Sequence, residues 1–381
     1  MVKTLNLIFV SQEYSVANHQ GLWQSLASNP SDIGDITVVV NIAADFVVSV
    51  FKRRFYRIRE AFENRVQKVG DCFLVRPLFF LRTELAGQVV NRANMEVLKK
   101  LLVGVVPDIE SREIRALFYD GNWARLINSM FPRAKLFYYI VDEVTRTAAD
   151  DSRHEGRSAN DRSGCEYADR IFVTSSALST ARPAYREKIV VVGNGGTAPQ
   201  SESSLSERDP DSVGLVGNIR DWIDKQLLEN LISLRPDLQF TFVGNIEDNM
   251  RVYVERIIQE NSNVRYAGMV RKDEVWDWYR SFRAVIVPYK QNEFIRASRP
   301  IKIVESVLAG TPVVTVPVDG YKESEFILFA RTAEEFSTAL DSFPRNGIDL
   351  ESPAYAQFTC ENSWSAIAKR ILEEFAKTSK K

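Results

Sequence analysis

Residues 284–318 read AVIVPYKQNEFIRASRPIKIVESVLAGTPVVTVPV, and this stretch decides the fold. Ala284 to Val287 is a short, largely β-branched run that ends at Pro288. The loop that follows is crowded with polar groups: Tyr289, Lys290, Asn292, Glu293 and Arg296. Pro300 occupies a first-turn position, where a missing N–H costs nothing. From there the pattern predicts a helix to Ala309, stopped by Gly310 in the left-handed C′ position, with Pro312 barring continuation. Val313, Val314 and Val316 then read as the next strand. Such a βαβ unit leaves a loop and a helix N-terminus at the C-terminal edge of a parallel sheet, where phosphates bind. Lys302 and Glu305, three apart, share one face of that helix. A cation for phosphate and a carboxylate for ribose hydroxyls suit a nucleotide-sugar.

Pro300-Ile-Lys302-x-x-Glu305, followed by Ala309-Gly310-Thr-Pro312-Val-Val, resembles the donor-site signature of GT-B glycosyltransferases of the bacterial group-1 type. Proline, lysine, glutamate, glycine and proline all keep their spacing. Retaining members carry a second glutamate eight residues before the position of Glu305, and this chain has Ala297 there. The pattern is therefore closer to the inverting branch typified by the xanthan glucuronosyltransferase. A competing reading, an ordinary βαβ unit of another α/β enzyme, leaves the polar loop and the Lys302/Glu305 pair unexplained. The resemblance implies an α/β GT-B architecture, two Rossmann-like parallel-sheet domains facing a cleft. It places an acceptor-binding domain at 1–196, a nucleotide-sugar-binding domain at 197–355, and a C-terminal helix, 356–381, crossing back onto the first domain.

Composition agrees with this frame and excludes several others. A chain of 381 residues can hold two α/β domains, each with its own core. A net charge of −1 gives no global attraction to nucleic acid or anionic membrane, so any such attraction must be local. Cys72, Cys165 and Cys360 are scattered and odd in number, which reads as reduced cytoplasmic cysteine rather than a disulfide framework or metal site. With only His19 and His154, a His-based metal site or a Ser-His-Asp triad has little material. No apolar stretch approaches a bilayer span, and the start, Met1-Val-Lys-Thr-Leu, shows no signal-peptide core. A cytoplasmic protein is expected.

Along the chain, runs at Asn6 to Val10, Ile36 to Asn41, Ile114 to Tyr119, Lys135 to Val141, Arg170 to Thr174 and Lys188 to Val192 read as strands. Helical patterns lie between them, around 20–28, 84–103, 122–130 and 176–186, and the alternation argues for a parallel sheet covered on both faces. Residues 197–212 are rich in Ser, Glu, Asp and Pro and read as a linker. A second alternation begins at Val213. The last segment carries Trp364, Ile367, Ile371, Leu372 and Phe375 at helical spacing.

The second half supplies a donor pocket. Gly217-Asn218-Ile219 follows the strand Val213 to Val216, and glycine there lets backbone approach a ligand closely. The resemblance places Ile219 beside the nucleotide and puts the base against Gly268-Met269-Val270. It also matches Tyr289 to a Pro-Tyr after a strand and sets Lys302 on phosphate and Glu305 on ribose; Arg220 and a helix N-terminus can add to the neutralisation of the phosphates. Singly, each has a plain alternative: Met269 as core, Tyr289 as a strand cap.

The first half must hold the acceptor and any catalytic base. Asp142 ends the run Lys135-Leu-Phe-Tyr-Tyr-Ile-Val141, and a carboxylate at that edge can take the proton of an attacking hydroxyl. Its setting resembles that of the catalytic aspartate in the inverting branch. Equally, Asp142 can N-cap the next helix. Glu143 points the other way if the strand persists. Asp120, before Gly121, is a rival of similar geometry, while Asp150, Asp151 and Glu155 read as a mobile, solvated segment.

Residues 51–62, FKRRFYRIREAF, place Phe51, Phe55, Ile58 and Phe62 on one helical stripe and Lys52, Arg53, Arg54, Arg57 and Arg59 on the other faces. A basic amphipathic helix of this kind lies on anionic membrane or packs its aromatic stripe into the domain. Asp209-Pro-Asp211 falls in the linker, so the metal-dependent Asp-x-Asp mechanism is not expected and no metal or other cofactor is called for beyond the nucleotide-sugar co-substrate. Neither a G-x-G-x-x-G after a strand nor a Walker loop appears. The expected activity is sugar transfer, hexosyl or glucuronosyl, from a UDP-type donor to a saccharide or lipid-linked saccharide in bacterial polysaccharide assembly. Alternatives are retaining chemistry on the same fold and a catalytically silent scaffold subunit.

Overall fold

A computed structural model describes residues 3–10, 13–28, 36–41, 49–50, 59, 65–79, 88–142, 154–197, 208–271 and 273–379. The chain divides into two compact units, Met1–Val192 with Trp364–Lys381, and Gly193–Ser363.

The first unit is built on β1 (Thr4–Val10), β2 (Ile36–Asn41), β3 (Val66–Val69), β4 (Cys72–Val75), β5 (Glu113–Phe118), β6 (Lys135–Ile140), β7 (Arg170–Val173) and β8 (Ile189–Val191). Their order is β3-β4-β2-β1-β5-β6-β7-β8, and every pairing except β3/β4 is parallel. Strand β1 is buried along its whole length because helices cover both faces. Leu5, Leu7 and Phe9 enter one core layer with Val38, Val40, Ala116 and Phe118. The β3/β4 hairpin has no counterpart in the sequence reading. Its outer strand, Val66-Gln-Lys-Val69, is half exposed and only four residues long, which gives no apolar run to detect. The helix His154–Tyr167 was likewise unexpected, since its sequence is strongly polar. It runs through Glu155, whereas Asp150 and Asp151 lie outside the described residues.

The C-terminal helix, Trp364–Ser379, groups with this first unit. Phe375 lies 4.1 Å from the Phe137 ring and 6.4 Å from that of Phe172, centroid to centroid. Arg370 donates to the Val192 carbonyl at 2.9 Å, and Arg170 pairs with Glu374 at 3.4 Å. Phe375 is 1% exposed, so its truncation to alanine removes about 3–5 kcal/mol of packing. The preceding helix, Pro353–Asn362, stays with the second unit: Ser352 caps it, and Tyr355 donates to the Leu308 carbonyl at 2.9 Å. The second unit runs to Ser363.

The second unit contains β9 (Asp209–Val216), β10 (Gln239–Val243), β11 (Val264–Gly268), β12 (Phe282–Val287), β13 (Val313–Thr315) and β14 (Ile327–Phe329). All are parallel, in the order β11-β10-β9-β12-β13-β14. This is a doubly wound sheet whose connections change direction between β9 and β12, and ligands bind outside the carboxyl ends of strands at such a switch. Two expectations need correction. Residues 209–212 are not linker but the start of β9, so Asp209 and Asp211 sit at its N-terminal end, opposite the ligand edge. The loop 289–300 contains a short helix, Glu293–Ala297, capped by the Asn292 side chain; five residues carry no readable period.

The helix Ile301–Leu308 follows Pro300, whose extended backbone makes it the cap rather than the first turn. Gly310, at φ +84°, ends it. Arg208 secures that end by donating to Thr311 Oγ1 at 2.8 Å and to the Gly310 carbonyl at 3.0 Å. Among the described residues no helix is long and apolar enough to cross a membrane.

Candidate functional site

The loops after β9 and β12 flank the switch point and are stitched together by backbone. Ile223 bridges Tyr289, Asp224 N–H donates to the Pro288 carbonyl at 2.9 Å, and Lys290 N–H donates to that of Trp222 at 2.8 Å. On the other side, Ile219 N–H donates to the Asn245 carbonyl at 2.8 Å and its own carbonyl accepts from Glu247 N–H at 3.1 Å. Both loops are therefore fixed at the carboxyl edge of the sheet.

Lys302, in the first turn of helix Ile301–Leu308, reaches back over this edge. Its ammonium lies 5.3 Å from the centre of the Tyr289 ring, on the ring face that attracts cations. It also lies against Gly217, where a Cβ would sit 2.9 Å from Lys302 Nζ. Gly217 adopts φ +105°, a conformation that side-chain-bearing residues rarely take. Beside it, a Cβ on Gly244 would fall 2.2 Å from the Gly217 carbonyl oxygen. Three consecutive features, a left-handed glycine, a second glycine behind it and an ammonium on top, form a cradle too narrow for side chains and open to backbone contact.

Glu305 stands one turn beyond Lys302 and is half-buried. Tyr279 Oη donates to it at 3.4 Å, a long bond. Tyr289 is 6% exposed and packs on Trp222, ring centres 6.1 Å apart. Arg220 pairs with Glu247 and stacks over the Trp222 ring at 4.9 Å. The Ile219 side chain is buried in the core, so only its backbone faces the loop. Met269 is 77% exposed at the end of β11, which removes the core alternative, while Val270 packs partly into the core.

Arg299 was not singled out from the sequence. It donates to Asn362 Oδ1 at 2.6 Å and to the Gly320 carbonyl at 2.5 Å, and stacks over Tyr321 at 4.5 Å. Tyr321 Oη donates to the Pro300 carbonyl at 2.9 Å, and burial pushes its hydroxyl up to about 12. Together they anchor the residue before helix Ile301–Leu308. No local pattern marks them, because the partners are distant in sequence.

In the first unit, Asp142 follows β6 by two residues; desolvation raises its carboxyl, although the residue as a whole is exposed. Among the described residues its side chain has no hydrogen-bond partner; the residues it would cap lie outside them. Asp120 follows β5, next to β1, where that sheet changes direction. It accepts from Asn122 N–H at 3.1 Å, and burial raises its carboxyl, outweighing that bond. Gly121 beside it is pressed under the helix His154–Tyr167: a Cβ there would fall 1.8 Å from the Asn160 carbonyl oxygen. Among the described residues no group of three His, Cys, Asp or Glu side chains is arranged to hold a metal. Phe51, Lys52, Arg53, Arg54 and Arg57 lie outside the described residues.

Residues 210–345, most of the second unit, match the family described as glycosyl transferases group 1. Over 139 residues the chain is 29% identical to TuaH of Bacillus subtilis (strain 168), a protein named as a glycosyltransferase of teichuronic acid biosynthesis. That stretch covers 34% of this chain and 35% of TuaH, so it spans about a third of the relative's length. Over 98% of the chain and 99% of the partner, the fold matches sucrose-phosphate synthase from Thermosynechococcus elongatus, with TM-score 0.66 and 13% identity. Anabaena HepE, solved with UDP and glucose, matches over 97% and 99%, with TM-score 0.64 and 16% identity. The architecture is α/β of the GT-B type, two parallel-sheet domains.

Proposed function

We propose that the chain is a glycosyltransferase that takes its sugar from a UDP-linked donor and passes it to a saccharide or lipid-linked saccharide in bacterial polysaccharide assembly. The observation that carries this reading is the Lys302 ammonium resting on Gly217 at the switch point of the second sheet, one helical turn from Glu305. The match to the group-1 family and the likeness to TuaH, named for teichuronic acid biosynthesis, support it. So does the likeness in fold to HepE, whose structure holds UDP and glucose.

In this reading the donor diphosphate lies on the Gly217 backbone beneath Lys302. The ammonium and the N-terminus of helix Ile301–Leu308 offset its charge, so no metal is required. Glu305 accepts from ribose hydroxyls, and Met269 and Val270 border the base. Asp142 is the base for direct displacement. Its carboxylate takes the acceptor hydroxyl proton as the acceptor oxygen bonds to the anomeric carbon. The bond from that carbon to the β-phosphate oxygen breaks, and UDP leaves with the electron pair. The anomeric centre inverts. A hexosyl or glucuronosyl donor fits the resemblance to the inverting branch.

A second reading of the base is favoured by one observation: Asp120, rather than Asp142, ends a strand at the switch point of the first sheet. A thermal-shift titration with UDP, GDP and their sugars tests the donor site, since a ligand at 100 times its Kd adds about 2.7 kcal/mol. The expected result is a shift with UDP. No shift with any nucleotide refutes the donor reading, and a product that retains the donor's configuration refutes direct displacement.

A further inference from the structure

We propose that Trp222 is a positioning residue that holds the Lys302 ammonium over the diphosphate cradle by bracing the Tyr289 ring on which that ammonium rests. The inference rests on the donor-site reading above and adds a residue that touches neither phosphate nor sugar.

The argument follows a chain of contacts through the two loops at the switch point. Glu247 holds Arg220 by an ion pair, and the Arg220 guanidinium lies 4.9 Å from the Trp222 ring centre. Trp222 meets Tyr289 at 6.1 Å with an interplanar angle of 55°, and Lys302 Nζ stands 5.3 Å from the Tyr289 centre. Anion, cation, ring, ring and cation thus alternate in one row, and each neighbour attracts the next electrostatically. The backbone locks the middle of the row: residue 223 bridges residue 289, and residues 222 and 290 share a hydrogen bond of 2.8 Å. Tyr289 therefore cannot shift without moving the loop after β9.

A lysine needs such bracing. Its four-carbon stem has rotamer freedom to lose, and an ammonium free to sweep solvent spends that entropy on each binding event. Here the ring face and the bare Gly217 backbone confine Nζ before ligand arrives. The backbone bonds fix where Tyr289 stands but not how its ring turns, and the Trp222 ring, 6.1 Å away, is the wall against which that ring is held.

The test uses the full chain and compares UDP with uridine, which lacks phosphate, by titration calorimetry for the first and ligand-observed NMR for the second. Trp222→Ala is expected to weaken UDP about ten-fold and to leave uridine nearly unchanged, while Trp222→Phe, which keeps a ring, restores most of the UDP affinity. In a Lys302→Ala background, Trp222→Ala should cost UDP nothing further. Tyr289→Leu reads the same link if Trp222→Ala does not fold. An equal loss for UDP and uridine makes Trp222 a general packing residue and overturns the proposal. So does a loss that persists undiminished without Lys302. A parent that binds neither ligand overturns the donor-site reading itself, a different failure from a parent that binds UDP with Trp222 irrelevant to it.

Discussion

Adding one methyl group at Gly217 tests the donor cradle more sharply than removing any side chain. At φ +105° an alanine is strained whatever the space around it, at a cost of about 1–3 kcal/mol. In a unit of this size each kcal/mol moves Tm by about 2–4 °C, so Gly217→Ala should melt about 2–12 °C lower. The second effect is local. The new Cβ would lie 2.9 Å from Lys302 Nζ, closer than Cβ atoms tolerate, and the flexible ammonium is what yields. Displacing it forfeits a charge-assisted contact worth about 1.5–3 kcal/mol, which weakens UDP about 10- to 150-fold. Calorimetric titration of UDP into four proteins separates the two effects: parent, Gly217→Ala, Lys302→Ala and the double variant. With Lys302 already gone, the methyl has no ammonium to displace, so its binding penalty should nearly vanish while its Tm penalty stays. A binding penalty of equal size in both backgrounds would refute the claim that Gly217 is bare in order to admit Lys302 and the phosphates together.

Glu305→Ala should raise the donor KM about ten-fold or more by removing a charge-assisted bond to ribose; an unchanged KM in steady-state assays counts against the ribose role. Asp142→Asn should cut turnover by about 10²–10⁴ and leave UDP affinity intact, because the group acts on the acceptor oxygen. Its carboxyl is raised by desolvation, so it is protonated, and inactive as a base, up to a higher pH than an ordinary carboxylate of about 3.9. The acid limb of the kcat/KM profile should therefore lie above that value, and a limb at or below it would point away from Asp142. Charge reversal of Arg53, Arg54 and Arg57 should release the protein from anionic vesicles in a flotation assay without lowering Tm, each residue contributing about 1 kcal/mol at such a surface. Equal flotation by parent and variant would remove the membrane role.

Much of the fold was legible because parallel sheets announce themselves. A strand covered on both faces must be apolar along its length, so Leu5 to Val10 and Val285 to Val287 stand out against polar helices. Two of the stretches that escaped reading are exempt from that rule, while Cys72–Val75 is apolar and mostly buried but only four residues long. Val66–Val69 lies at an exposed edge, and the start of β9 is polar because Asp209 and Asp211 face solvent. The short helix Glu293–Ala297 escaped for another reason, since five residues cannot show a 3.6-residue period.

The candidate site divides along the same line between local and distant order. Lys302, Glu305, Gly310 and Pro312 share one helix and its turn, and their spacing is fixed by the rise of that helix. A sequence can therefore display them as a motif. Gly217 and Tyr289 lie on different loops and become neighbours only because β9 and β12 are adjacent in the sheet. The sequence reading named both, yet it could not say that Lys302 joins them. Trp222 and Arg299 were silent altogether, because each acts through contacts made across more than 60 residues of chain: Trp222 on Tyr289, and Arg299 on Asn362. Asp142 and Asp120 show the limit from the other side. Each ends a strand of the first sheet with a carboxylate raised by its surroundings, so strand position and charge suggest both equally. What separates them is partnership. Asp120 already accepts from Asn122 N–H, a bond to the ionised form that a proton-accepting base would weaken on each turnover, whereas the Asp142 side chain has no such partner among the described residues. A base at position 120 would have to give that bond up, which counts against Asp120. The same bond predicts that Asp120→Asn, which preserves the turn, should leave turnover within a few-fold of the parent.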